Sequence, residues 1–344
     1  MSTRSLQPSC SSMRFGSRRS TRMTCIVLVA MLLAGCGKRP RGPIGRVTVP
    51  PGVPFRVAAD SLASEGFIRW PRLFRAYAKL RGRDRDIQAG TYALQYGMGY
   101  DELLHALQQG VGLERRVTIP EGYAIREIVP VLANALGVPE DSVQAAVRDS
   151  AMRSELHVPT ETLEGYLFPD TYIFSYGTPA RQAVREMVDR FEQIWQPAWD
   201  AQLQKLSMSR NEIITLASII EKEARLPEER PVISAVYHNR LHKHMLLQAD
   251  PTVQYALGEH HDRVLYKDLE IDSPYNTYRH AGLPPGPIAS PGRASIEAAL
   301  FPAHVPYLFF VAHPDGHHEF RTTFKAHKEA RRELRQERLR RARD

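Results

Sequence analysis

The amino-acid sequence predicts an α+β fold, with strand–helix units first and a mostly helical region after them. The first observation is a repeat: segment 47–52 recurs as 117–122, and in both copies an alternating strand meets a Pro-x-Gly turn and then an amphipathic helix. The second is that the apolar residues past residue 140 follow mainly a helical period. The third is that strands and helices do not alternate regularly, as they would around a parallel sheet.

Local patterns place the other elements in chain order. Segment 87–94 is typical of a strand, and segment 100–109 of a helix that ends at Gly110. Further elements are expected as helices at 140–155, 178–205, 211–226 and 230–243, and as an apolar strand at 307–312. The modules of residues 46–140 resemble LysM-like carbohydrate-binding units, although a plain scaffold role also fits them. The chain thus divides into a LysM-like region at 46–140, a mostly helical domain with short strands at 141–328 and a basic helix at 329–344.

Residues 1–36 have the composition of a signal sequence or a membrane anchor. Five arginines and no acid precede an apolar run at 24–35, which is shorter than the roughly 20 residues that span a bilayer. Leu33 to Cys36 resembles the lipobox of bacterial lipoproteins, which implies lipidation at Cys36. An uncleaved anchor helix is the alternative. Either predicts a chain held at a membrane outside the cytoplasm, after a linker at 37–45.

Charge and cysteine content exclude several classes of protein. The net charge of +8 comes from the two ends of the chain, so the part between them is close to neutral and nucleic-acid binding is not expected. All three cysteines precede residue 37, which excludes a disulfide or a cysteine nucleophile after it. No HExxH, G-x-S-x-G, P-loop or dinucleotide motif occurs, and basic residues flank His238 and His242. Neither a metal nor a cofactor is expected.

The remaining candidates for chemistry are carboxylates. In the apolar helix at 211–226, Glu221 and Glu223 fall on opposite borders of the apolar face. A glutamate at such a border is partly desolvated, which raises its pKa and suits it to act as a general acid. The pattern does not choose between the two, and pairing of both with Lys222, Arg225 or Arg230 is the alternative.

Three loops contain residues that could bind a ligand. Gln248 and Asp250 precede a helix, where Asp250 is expected as the N-cap with Pro251 in the first turn. Segments 273–278 and 282–287 are stiff and rich in aromatic and hydrogen-bonding residues. Such loops suit a groove that holds sugars, and they suit a protein-binding surface as well.

Six sequence blocks, in register over residues 46 to 330, resemble the endolytic murein transglycosylase family, also known as the YceG-like family. They are LEGYLFPDTY at 163–172, ASIIEKE at 217–223, NRL at 239–241, LQADPTV at 247–253, SPYNTY at 273–278 and GLPPGPI at 282–288. The resemblance implies a membrane-anchored bacterial envelope enzyme with a LysM-like part and a catalytic part. It implies that Glu223, and not Glu221, is the catalytic acid. It favours the inner membrane, with the catalytic domain facing the periplasm.

The resemblance also implies the reaction and its partners. The substrate would be the glycan strands of peptidoglycan, cut internally between MurNAc and GlcNAc to leave 1,6-anhydro-MurNAc ends, and the enzyme would act beside peptidoglycan synthases to end growing strands. Two other functions stay open. One is a hydrolase that uses Glu223 with Asp250 as the second carboxylate, and the other is a non-catalytic peptidoglycan-binding module.

Seven residues are candidates for substrate contacts: Gln248, Asp250, Asn276, Thr277, Tyr278, Glu164 and Asp170. For Asp250 the alternative is the N-cap role, and for Gln248 and residues 276–278 it is a turn-stabilising role. For Glu164 and Asp170 the alternative is to secure the turn at Pro169. The chain departs from the family at His244, where a glycine is common, so the local turn is in question. It departs again in its leader, because members usually carry a longer transmembrane anchor.

Overall fold

The computed structural model describes residues 41–258 and 264–341. The predicted leader and Cys36 lie outside the described residues. The fold is α+β, as the sequence predicts: the described strands form three two-stranded antiparallel sheets, and helices make up most of the rest. No described helix is long and apolar enough to span a membrane.

The first strand–helix unit has its own core. Strand β1 (Ile44–Val49) pairs with β2 (Gly90–Gln95). Helices α1 (Phe55–Ser64), α2 (Pro71–Leu80) and α3 (Tyr100–Gln109) pack against this sheet around buried residues that run from Val47 to Leu107. Between β1 and α1 the chain turns at Gly52, whose φ of +70° favours glycine. The predicted strand, turn and helix are confirmed.

The second copy of the repeat forms the same local structure in a different core. Strand β3 (Glu114–Thr118) pairs with β4 (Thr171–Ser175), and Gly122, with φ of +78°, leads into α4 (Ile125–Leu136). This unit packs into the larger core, whose buried residues run from Val117 to Leu300. The buried residues of the two cores thus separate between Leu107 and Val117. The domain boundary at residue 140 stays a prediction.

Two helices predicted as continuous are each split. Segment 140–155 forms α5 (Glu140–Val147) and α6 (Ser150–Glu155), because Asp149 caps α6 by accepting the Met152 N–H. Segment 178–205 forms α7 (Ala180–Ile194) and α8 (Pro197–Leu206). Pro197 keeps the preceding residue out of the helical conformation, and it serves as the first residue of α8.

The central helix of the larger core is α9 (Arg210–Glu223), in which residues 213–220 are all buried. Its N-terminus carries a capping box between Ser209 and Glu212. It ends at Glu223, three residues before the predicted end, because Ala224 is extended. The chain continues into α10 (Arg230–His242), α11 (Asp250–Leu257) and α12 (Arg293–Leu300).

The C-terminal part is a hairpin covered by a helix. Strands β5 (Phe309–Ala312) and β6 (His318–Arg321) pair antiparallel, and α13 (Phe324–Arg341) packs on them. Ala330 and Leu334 are buried against Val311. This basic helix thus begins before residue 329 and is partly buried, and residues 342–344 lie outside the described residues.

Candidate active site

Glu223 is the last residue of α9, and its side chain is half-buried. The Tyr237 hydroxyl of α10 donates a hydrogen bond of 2.9 Å to Glu223 Oε1. Burial raises the pKa of Glu223 to about 7; the Asp250 charge raises it further, whereas the Tyr237 hydrogen bond and the Arg240 charge lower it. Near neutral pH this carboxyl is therefore able to give a proton and to take one back.

Glu221 lies two residues away and is held differently. Its side chain is 7% exposed, and Oε1 is 3.4 Å from the Arg230 guanidinium. Its Oε2 accepts the Gly292 N–H at 2.9 Å, at the start of α12. Glu221 thus joins α9 to the start of α12, and both of its carboxylate oxygens have partners within the protein. The expected pairing with a basic residue holds for Glu221, whereas the described contacts of Glu223 include no salt bridge.

Asp250 is the first residue of α11 rather than its N-cap, so the predicted capping role is wrong. Ala249 occupies the N-cap, because residue 249 is the last with extended backbone. The exposed Asp250 carboxylate instead accepts a hydrogen bond from the Tyr278 hydroxyl. Burial and this hydrogen bond raise the pKa of Tyr278, so Tyr278 stays a neutral donor. Glu223, Tyr237, Asp250 and Tyr278 form one group.

Asn276 and Thr277 shape the loop that presents Tyr278. Asn276 Nδ2 donates to the carbonyls of Leu269 and Ile271, both at 2.9 Å, and its Oδ1 accepts the Tyr278 N–H at 3.0 Å. Thr277 Oγ1 accepts the Ala249 N–H at 3.0 Å. Both side chains are buried. Of the two predicted roles, the contacts support the turn-stabilising one for these residues.

Gln248 and His244 lie on the turn that leads to Asp250. The backbone N–H of Gln248 donates to the Thr277 carbonyl at 3.1 Å, and Gln248 is exposed, so it stays a candidate for substrate contact. His244 has φ of +53°, in the left-handed region that favours glycine. The departure from the family at this position therefore leaves the turn in the conformation that a glycine would adopt, with some strain from the histidine Cβ.

Glu164 and Asp170 serve the protein's own backbone. Both oxygens of Glu164 accept the Ile125 N–H, at 3.0 and 3.1 Å, and Oε2 also accepts the Tyr255 hydroxyl at 3.3 Å. Burial raises the pKa of Glu164 to about 7. Asp170 accepts the Thr171 N–H and the Arg190 Nε–H, both at 2.7 Å, which secures the turn after Pro169. Asp170 therefore has the predicted alternative role of securing the turn at Pro169. Glu164 instead joins α4 to α11.

The sequence blocks of the family resemblance meet around α9. The Ile288 N–H donates to Ser218 Oγ at 3.0 Å, so the Pro-rich loop 282–288 lies on α9. Pro287 packs so closely on Gly165 that a Cβ there would lie 2.4 Å from it. Gly165 also has φ of +83°, and both facts require glycine at this point of the 163–172 block.

Arg240 is a site residue to which sequence reasoning assigned no role. It is buried; its Nε donates to the Leu308 carbonyl at 2.7 Å and its Nη1 to the Leu247 carbonyl at 2.6 Å. It thereby joins α10 to β5 and to the segment before Asp250. The available signal was its place in the NRL block at 239–241, because polar residues lie on both sides of Arg240 in the chain and the helix pattern does not mark it as buried. A buried arginine needs several acceptors. We call Arg240 with these two carbonyls the Arg240 clamp.

The geometry defines a class of site. A half-buried carboxyl with a pKa near 7, a tyrosine donor on it and a second, exposed carboxylate form an acid–base centre of the kind that cleaves glycosidic bonds. Across the described residues, no group of three or more His, Cys, Asp or Glu side chains could hold a metal ion. The model of the YceG-like family matches residues 47–333, and the chain belongs to this family.

Relatives of known name agree with this assignment. The chain is 36% identical over 300 residues to a Bacillus subtilis protein named endolytic murein transglycosylase, a match that covers 83% of both chains. It is 31% identical to the Streptococcus pneumoniae serotype 2 protein of the same name, over 77% of this chain and 54% of the relative. A crystal structure of a yceG-like protein from Listeria monocytogenes superposes with a TM-score of 0.60 at 35% identity, covering 83% of this chain and 98% of that one.

Proposed function

We propose that this chain is an endolytic peptidoglycan lytic transglycosylase, which cleaves the bond between MurNAc and GlcNAc within glycan strands and leaves 1,6-anhydro-MurNAc ends. The names of its relatives support the substrate and the enzyme class. The observation that carries the assignment of the acid is the half-buried Glu223 with a pKa near 7 and a single tyrosine donor. The Glu221 carboxylate is paired with Arg230 and with the Gly292 N–H, so it is not available to a substrate in the same way.

The reaction needs one group that acts first as acid and then as base. Protonated Glu223 gives its proton to the glycosidic oxygen, and the bond from that oxygen to C1 of MurNAc breaks through an oxocarbenium-like state. The Glu223 carboxylate then takes the proton of the MurNAc 6-hydroxyl, whose oxygen closes on C1. No water is consumed. General acid–base help of this kind contributes about 10² to 10⁴ in rate.

The neighbouring side chains support both halves of this cycle. The negative charge of Asp250 favours protonated Glu223 before the first step, and it would stabilise the positive charge that develops on the sugar. The Tyr237 hydroxyl and the Arg240 charge favour the carboxylate that results. Tyr278 fixes Asp250 by donating to it.

A hydrolase is the second candidate function, because the exposed Asp250 carboxylate lies close enough to raise the pKa of Glu223. In that reaction Asp250 would activate water or form a covalent intermediate. The third function, a peptidoglycan-binding module without catalysis, requires that wild type cleave nothing.

The direct test of the acid is a matched pair of variants. Glu223→Gln keeps the size of the side chain and removes its proton, and Glu221→Gln makes the same change two residues away. Glycan strands from purified peptidoglycan should be cut by wild type and by Glu221→Gln, and not by Glu223→Gln. Loss of cleavage in Glu221→Gln alone would move the acid to Glu221, and binding without cleavage by wild type would favour the binding module.

We further propose that the N-terminal run at 24–36 attaches the chain to the inner membrane, with the catalytic part in the periplasm beside peptidoglycan synthases, where cleavage would end growing strands. The lipobox-like end of the run supports a lipid on Cys36. A lipid on Cys36 predicts that wild type takes up a labelled fatty acid and that Cys36→Ser does not. Absence of the label from wild type would identify an anchor helix instead.

A further inference from the structure

Helix α2 presents an apolar face that no part of the described chain covers. Trp70 precedes the helix and is 55% exposed, and on the helix itself Leu73 is 56% and Leu80 85% exposed. The opposite face is buried in the small core through Phe74 and Ala78. At about 100° per residue, Leu73, Ala76 and Leu80 fall on the same outward stripe.

Basic residues surround this stripe. Residues 69–83 contain six Lys and Arg residues and no acid. Arg81 and Arg83 lie 3.7 Å from Asp101, but Arg72 and Lys79, which flank the leucines, have no acidic partner among the described residues. We call Trp70, Leu73, Ala76 and Leu80, with their rim of Arg69, Arg72 and Lys79, the α2 surface. An apolar stripe with Trp and Leu inside a basic rim is typical of helices that lie on anionic membranes.

The chain itself limits how far this surface can lie from a membrane. The apolar run at 24–35 ends just before Cys36, and the described structure starts at Arg41. A fully extended chain covers at most about 3.6 Å per residue, so the five residue-to-residue steps from Cys36 to Arg41 reach at most roughly 18 Å. A chain attached at Cys36 therefore keeps its first unit beside the headgroups, where anionic lipids attract basic side chains.

We propose that the α2 surface docks on anionic phospholipid headgroups of the membrane that holds the N-terminus. Trp70, Leu73 and Leu80 enter the interface, while Arg72 and Lys79 contact lipid phosphates. Of the residues of the α2 surface, Trp70 alone has a flat ring on which a sugar could stack, and the leucines beside it fit lipid better than glycan. The inference rests on the proposed membrane attachment and not on the proposed cleavage. Its consequence is a fixed orientation of the first unit on the membrane.

Sedimentation with phospholipid vesicles tests the proposal on a chain that starts at Gly37. All residues of the described cores lie between Val47 and Leu334, so this chain keeps every one of them. It should bind vesicles that mix phosphatidylcholine with phosphatidylglycerol, and not vesicles of phosphatidylcholine alone, with binding that weakens as salt is added. Equal binding to both kinds of vesicle, or to neither, would overturn the proposal.

Paired variants separate the α2 surface from general basicity. Each basic residue near an anionic surface is worth about 1 kcal/mol, so R72Q with K79Q should weaken binding about 30-fold. The matched control is R332Q with R335Q on α13, which is also basic and exposed, and it should bind as wild type does. A loss of the same size in the control would overturn the proposal.

The apolar part is tested in the same assay. L73S with L80S should abolish vesicle binding, and because both side chains are exposed the thermal unfolding midpoint should stay within about 2 °C of wild type. The emission of Trp70 should shift to the blue with anionic vesicles, and W70F should lose that shift. Both α2 variants should still cleave soluble glycan strands. If neither wild type nor the variants cleave glycan but vesicle binding changes as described, the proposed function fails and the proposed membrane surface stands. Unchanged vesicle binding by L73S with L80S would contradict the proposed membrane surface.

Discussion

At the scale of single residues, two glutamates on one helix show how position decides the chemistry of a carboxyl. Glu221 is satisfied by a guanidinium and a backbone N–H. Glu223 ends the helix, is half-buried and accepts a hydrogen bond from a tyrosine hydroxyl, so burial keeps its proton bound up to a higher pH. Burial is the largest cause of its raised pKa, and Tyr237 is the largest opposing one.

Tyr237→Phe should raise the pKa of Glu223 further, because it removes a hydrogen bond that favours the carboxylate. The basic limb of the activity–pH profile should move to higher pH. The rate should fall roughly 10- to 150-fold, since a hydrogen bond to a charged group is worth about 1.5 to 3 kcal/mol. Tyr96→Phe, which removes a hydroxyl bound to a backbone carbonyl in the first unit, is the control and should leave the profile unchanged. A shift of the limb to lower pH would contradict this role.

His244→Gly should stabilise the protein by roughly 1 kcal/mol, because His244 adopts a left-handed conformation that costs a residue with a Cβ about this much. Denaturant unfolding measures the change. His244→Ala keeps the Cβ and should bring none of the gain. Equal stabilisation by both variants would show that the histidine ring, and not the backbone, is the source of the strain.

At the scale of elements, two buried polar groups hold together the helices and loops that form the site. Glu164 joins the start of α4 to Tyr255 on α11. The Arg240 clamp joins α10 to β5 and to the segment before Asp250. Replacing either side chain would leave buried backbone groups unpaired. The geometry around Glu223 therefore depends on residues that do not contact Glu223.

Glu164 should make the free energy of unfolding depend on pH. Its pKa is about 7 in the folded protein and about 4.5 unfolded, so the unfolded chain loses its proton first. Stability should therefore fall as pH rises from about 4.5 to 7 and then level off, with a contribution from Glu164 of about 3 kcal/mol. Glu164→Gln should flatten the curve by this amount in denaturant unfolding at a series of pH values. A curve that keeps its full slope in the variant would show that Glu164 is not the titrating group.

Arg240→Gln should destabilise the protein by several kcal/mol, since each buried carbonyl left unpaired costs about 1 to 3 kcal/mol. It should also move the basic limb of the activity–pH profile upward, because the Arg240 charge lowers the pKa of Glu223. Arg185→Gln is the control: its partners Glu155 and Asp189 are exposed, and the cost should be about 1 kcal/mol or less. Similar costs for both variants would argue against the Arg240 clamp.

At the scale of the whole molecule, the site is assembled from distant segments around one central helix. Glu223 ends α9, Tyr237 lies on α10, Asp250 starts α11, and Tyr278 lies on the loop that follows. The family match spans 47–333 and so covers both cores. The first unit keeps a separate core, which leaves its outer surface free for another role.

Sequence reasoning predicted the local features of this molecule better than its tertiary ones. Periodicity and turn residues gave the repeated strand–turn–helix units and α3, because these depend on neighbours in the chain. The capping of α11 was wrong, since Ala249 is held by Thr277 from a distant loop. The helical wheel could not separate Glu221 from Glu223, because the difference lies in partners on α10 and α12.

The measurement that tests the central claim most directly is mass spectrometry of glycan products formed by the chain from Gly37 in water enriched in ¹⁸O. A lytic transglycosylase closes the MurNAc 6-hydroxyl on C1, so its products should carry 1,6-anhydro ends, contain no ¹⁸O and be absent with Glu223→Gln. New reducing ends in place of anhydro ends would show that water attacks C1, which would contradict the claim and make Asp250 the second carboxylate of a hydrolase.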